Sequence, residues 1–76
     1  MSFYISLSSP EQIRTFVALA SRQPFEILVS NHRQHISAKH LMGMFSLDYS
    51  RPLQVHANCS ADQFDAFRQD ALALQN

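Results

Sequence analysis

Apolar positions recur along the chain with two alternating periods, and each change of period marks a new element. Phe3, Ile5 and Leu7 fall on every second residue, the spacing that puts side chains on one face of a strand. Ser9-Pro10-Glu11-Gln12 carries the pattern of a capping box, in which the Ser9 hydroxyl accepts from the Gln12 amide. Pro10 falls at the first helical position, where its missing N–H is harmless. Ile13, Phe16, Val17 and Ala20 follow at helical spacing, and the helix is expected to stop near Gln23 because the residue before Pro24 disfavours helix. Phe25 to Ser30 returns to period two, with Phe25, Ile27 and Val29 on one face. Asn31 to Gln34 reads as a polar turn, and His35 to Ser37 as a short third strand that completes a hairpin. Leu41 to Leu47 is a short helix. Asp48 to Pro52 is a turn, and Leu53, Val55 and Ala57 mark a strand from Leu53 to Asn58. Ser60-Ala61-Asp62-Gln63 repeats the capping box, ahead of a stripe through Phe64, Phe67, Ala71 and Leu74.

The order is therefore strand, helix, strand, strand, helix, strand, helix, and every long element has a single apolar face. A four-stranded antiparallel sheet with three helices on one face satisfies this pattern, which makes the expected class α+β, an open-faced β-sandwich, in one domain spanning 1–76. A chain of this size buries roughly 60–65% of its unfolded surface, so the core is small.

Composition narrows the function. Six basic and six acidic residues cancel, so no basic field for nucleic acid is present. Gly43 is the only glycine, which excludes Gly-rich phosphate loops. No apolar run approaches the ~20 residues of a membrane span. The start, Met1-Ser2-Phe3-Tyr4, lacks the basic and apolar regions of a signal peptide. Cys59 has no partner for an intramolecular disulfide, which suits a reducing compartment. These features lead to the expectation of a soluble, cytoplasmic protein.

Candidate chemistry is sparse. His32, His35 and His40 lie close in sequence, but on a turn, a strand and a helix start, and their spacing matches no standard zinc pattern. His56 alternates with Gln54 and Asn58 on the outward side of its strand. Cys59 shares the inward register of Leu53, Val55 and Ala57 and reads as half-buried. A helix begins just beyond it, which keeps a lowered thiol pKa open, but no acid or base partner can be assigned. Glu11 and Asp62 occupy first turns of helices, where negative charge suits the dipole. No catalytic residue, metal or cofactor is expected.

Leu41 to Leu47 is the most informative stretch. A helix this short cannot bury Leu41, Met42, Met44, Phe45 and Leu47 together. With Met44 and Leu47 on the sheet, Leu41, Met42 and Phe45 point outward, and such a patch suits a partner. The other reading is a helix end that wraps the core more deeply, and the sequence leaves both open.

The stretch from Ile36 to Leu47, Ile-Ser-Ala-Lys-His-Leu-Met-Gly-Met-Phe-Ser-Leu, resembles the central segment of the histidine-containing phosphocarrier protein HPr, which reads roughly Ala-Lys-Ser-Ile-Met-Gly-Leu-Met-Ser-Leu. The element order is also that of the HPr fold, and the spacing back to Phe16 and Phe25 fits without gaps. HPr carries phosphate in the bacterial sugar phosphotransferase system, on a histidine in a loop resembling Gly-Leu-His-Ala-Arg-Pro. Here Ser9 stands at the histidine position and Glu11 at that of the phosphate-holding arginine, and no histidine precedes His32. His40 stands where some family members carry a regulatory serine. The residues matching the family's partner-binding surface are Leu41, Met42 and Phe45.

The resemblance therefore implies a divergent bacterial member that has lost the phosphocarrier histidine and regulates sugar transport by binding proteins. Its partner would be a phosphotransferase-system enzyme or a transcriptional regulator, and not nucleic acid or membrane; a homodimer is compatible with the apolar patch. The alternative is a working phosphocarrier that uses His40 or Ser9. A third reading, a small-molecule-binding domain, needs a concave polar pocket, which 76 residues and one glycine make hard to build.

Overall fold

The computed structural model describes residues 1–75. The elements are β1 (Ser2–Ile5), α1 (Pro10–Ser21), β2 (Ile27–Ser30), β3 (His35–Ser37), α2 (Leu41–Phe45), β4 (Leu53–Ala57) and α3 (Ala61–Leu72), with a closing 3-10 turn at Ala73–Gln75. The strands form one antiparallel sheet in the order β1-β4-β2-β3. This is the α+β sandwich expected from the pattern of apolar faces.

Register explains the two faces. Phe3, Val55, Val29 and Ile36 lie in one row across all four strands, flanked by the pairs Ile5–Leu53 and Ile27–Ala57. Those side chains join the core under the helices. The intervening rows, Tyr4–Gln54–Ser30–His35 and Ser2–His56–Leu28–Ser37, make the open face. His56 is exposed there, on the outward side its alternation indicated.

The strands are shorter than the sequence pattern suggests. β1 ends at Ile5, opposite Leu53. The Ser6 amide donates to Gln75 Oε1 at 2.5 Å, while Leu7 still reaches the core. β2 begins at Ile27 rather than Phe25, and β4 ends at Ala57 rather than Asn58, although the Asn58 amide still donates to Glu26 at 3.0 Å.

Phe67 on α3 ties the layers together. Its ring lies 6.1 Å from Phe3, 5.9 Å from Phe16 and 6.2 Å from Phe25, mostly edge to face. One side chain thus joins β1, α1 and the approach to β2. Such aromatic pairs add roughly 0.5–1.5 kcal/mol each beyond area burial.

Candidate functional site

α2 is a single short turn held by its neighbours. His40 caps it with extended backbone and makes no side-chain cap bond. At the other end Ser46 Oγ donates to Gly43 O at 2.6 Å, and the Tyr49 hydroxyl donates to Met44 O. Gly43 allows close packing. A Cβ there would lie 2.8 Å from both His40 Nδ1 and Ile36 Cγ2. Met44 is fully buried and Leu47 lies in the core. The helix is too short to turn its remaining apolar residues inward, so Leu41 is 39%, Met42 74% and Phe45 39% exposed. The geometry is that of an outward patch, and the deeper-wrapping alternative does not hold.

The start of α1 departs in part from its expected capping. The Ser9 hydroxyl accepts from the Gln12 amide at 3.2 Å, as the sequence indicates. The reciprocal half of the box is absent. Gln12 Oε1 accepts instead from the Ser8 amide at 2.6 Å and the Ser8 hydroxyl at 3.0 Å, while Gln12 Nε2 donates to Leu74 O at 2.7 Å. The 3-10 turn thus lies against this loop, and Gln12 is drawn toward it. Ser60 makes the full box with Gln63 at α3. Glu11 is exposed in the first turn of α1, and its carbonyl accepts from Thr15 Oγ1 at 2.9 Å.

His32, His35 and His40 are all exposed on separate elements. Among the described residues no three His, Cys, Asp or Glu side chains group so as to hold a metal. Cys59 is half-buried. Among the described residues no helix is long and apolar enough to cross a membrane.

Two features lay outside the sequence reading. Tyr49, expected in a turn, packs against the core, and burial pushes its phenol up to about 12. A groove of about 320 Å³ lies at the end of the sheet, between the Asn31–Gln34 turn and the 48–52 loop, with Tyr4, Ser30 and Gln54 from the open face along it. Difficulty in building a concave polar pocket was expected from a chain of 76 residues with one glycine. Two polar loops build it instead. Asn31 Oδ1 accepts from the Arg33 and Gln34 amides, both at 2.8 Å, and Asp48 Oδ1 accepts from the Ser50 amide at 2.9 Å. The Ser50 hydrogen bonds, with help from the charges of Arg51 and His32, lower the Asp48 carboxyl pKa. The Asn31 and Asp48 turn signals were legible, but their meeting across β4 and β2 was not.

No protein-family model and no curated protein sequence matches this chain. Solved structures do. The phosphocarrier protein HPr of Bacillus anthracis str. Ames superposes with a TM-score of 0.77 at 16% identity, over 100% of this chain and 96% of that one. HPr-C-His from Thermoanaerobacter tengcongensis superposes with a TM-score of 0.75 at 21% identity, over 99% of this chain and 91% of that one. The chain has the fold of HPr phosphocarrier proteins along its whole described length.

Proposed function

We propose that this chain is a non-catalytic regulatory module on the HPr scaffold, related to the sugar phosphotransferase system and acting by binding a protein partner. The observation that carries the reading is the exposure of Leu41, Met42 and Phe45 on a short helix that buries only Met44. Two of the three are large and flexible or aromatic, the kind of side chain that anchors protein contacts. Fully burying one such side chain is worth roughly 1.5–3 kcal/mol, so three can anchor an interface when a polar rim surrounds them.

Loss of phosphocarrier chemistry is supported by the start of α1. A phosphohistidine needs an imidazole there, and the position holds Ser9, whose hydroxyl already accepts from the Gln12 amide. Glu11 places negative charge in the first turn, which repels a phosphoryl group. The partner is then a phosphotransferase-system enzyme or a transcriptional regulator that recognises the α2 face, and the chain would compete there with a true phosphocarrier.

The test is phosphotransfer. The purified chain is mixed with phosphoenolpyruvate and the first enzyme of the system, and intact mass is recorded at neutral pH with an active HPr as control. No adduct is expected. An acid-labile adduct would place phosphate on a histidine, His40 first, and an acid-stable one on a hydroxyl; either overturns the reading.

A further inference from the structure

The groove at the end of the open face belongs neither to the α2 patch nor to the start of α1. At about 320 Å³ it sits near the lower end of the roughly 300–1,000 Å³ typical of small-molecule sites, so its ligand must be small. Its lining divides by chemistry. Tyr4, 66% exposed, and Pro52 supply flat apolar surface. Gln54, Ser30 and Asn31 supply hydrogen-bonding groups. Arg51 and His32 lie at the loop end, where an adjoining depression adds Arg33.

Charge selects the ligand. Two guanidinium groups and an imidazole face a single carboxylate, Asp48, which already accepts from the Ser50 amide. Neither arginine is in an ion pair. The one ion pair among the described residues is Arg68–Asp65, on α3, at 3.8 Å. On a chain of zero formal net charge this is a local positive excess, and guanidinium groups pair well with phosphate oxygens.

We propose that this groove binds a small phosphorylated molecule bearing a planar ring, of the nucleoside monophosphate class, with phosphate at Arg51 and His32 and the ring against Tyr4. The groove has amide and hydroxyl groups from Gln54, Asn31 and Ser30 for the edge of a base. Asp48 limits the affinity, because it sits among the groups that hold the phosphate.

Amide chemical shifts of the purified chain test this, with adenosine 5′-monophosphate, adenosine and ribose 5-phosphate titrated separately. The monophosphate is expected to shift Tyr4, Asn31 to Arg33, Ser50, Arg51 and Gln54 saturably, and at lower concentration than either fragment. Arg51→Ala should weaken it about tenfold or more. Tyr4→Thr, which keeps a strand-forming residue, should weaken the monophosphate about tenfold and leave ribose 5-phosphate unchanged. Asp48→Asn keeps the acceptor for Ser50 and should tighten binding severalfold. Absence of saturable shifts, equal binding of ribose 5-phosphate, or indifference to the Arg51 substitution each overturns the proposal. Arg51→Gln is a second variant for the phosphate arm should Arg51→Ala disturb the spectrum generally.

Discussion

Replacing Phe67 by Ala should cost about 3–5 kcal/mol, because its buried ring meets Phe3, Phe16 and Phe25 and its removal opens a cavity among them. At roughly 0.05–0.15 kcal/mol per residue a domain of this length holds about 4–11 kcal/mol, so that single loss removes a large share of it. Urea unfolding should show the variant's midpoint far below that of the parent chain. Phe45 is the contrasting case. It is 39% exposed, so Phe45→Glu should move the unfolding midpoint little while removing partner binding. If Phe45→Glu unfolds the chain, the side chain is a core residue and the docking surface on α2 is refuted. Tyr49 adds a pH signature. Its phenol is raised by burial to about 12, against about 10 in an unfolded chain. Between those values the unfolded state has lost the proton that the folded state keeps. The stabilisation is therefore complete below about pH 10 and is lost as pH rises toward 12. Tyr49→Phe should flatten that decline and remove the phenolate absorbance step near 12.

At the scale of elements, α2 depends on the absence of a side chain at position 43. A Cβ there would press within 2.8 Å of His40 Nδ1 and Ile36 Cγ2. The imidazole can swing away more readily than Ile36, which is half-buried against the core. Gly43→Ala therefore sets improved helix propensity, up to about 1 kcal/mol, against a steric penalty. Gly43→Val adds a branched chain with no such gain, and should destabilise by about 1–3 kcal/mol in thermal unfolding. The same helix shows what the sequence could and could not tell. Its apolar crowding made an outward Leu41, Met42 and Phe45 one of two readings, and their exposure in the structure selects it over a helix wrapped more deeply into the core. The two serine caps were legible as local patterns, and both hydroxyls do accept the third-residue amide. The different fates of Gln12 and Gln63 were not legible, because Gln12 is drawn away by the 3-10 turn, 62 residues further along the chain. The sheet order β1-β4-β2-β3 and the groove depend on long-range pairing in the same way, which no local period records.

For the molecule as a whole, that long-range tie is a stabilising strap between the two ends of the described chain. Gln12 Nε2 donates to Leu74 O at 2.7 Å and the Ser6 amide donates to Gln75 Oε1 at 2.5 Å, so the loop leaving β1 is held by the last turn from both sides. Each bond is exposed or half-buried, and such bonds contribute roughly 0.5–1.5 kcal/mol net. Gln12 also accepts from Ser8 through its other side-chain atom, so it holds both the loop and the turn. Gln12→Ala should then cost more than Gln75→Ala, about 1–2 kcal/mol against about 0.5–1 kcal/mol. The two losses should be less than additive if the strap acts as one unit, since releasing the turn at one bond loosens the other. Amide hydrogen exchange gives the sharper check. In Gln75→Ala the Ser6 amide should exchange faster while the amides of β4 stay protected, because the opening is local to the strap. Faster exchange throughout β4 would instead mean that the last turn supports the sheet itself, and that the two ends of the chain open only when the domain unfolds.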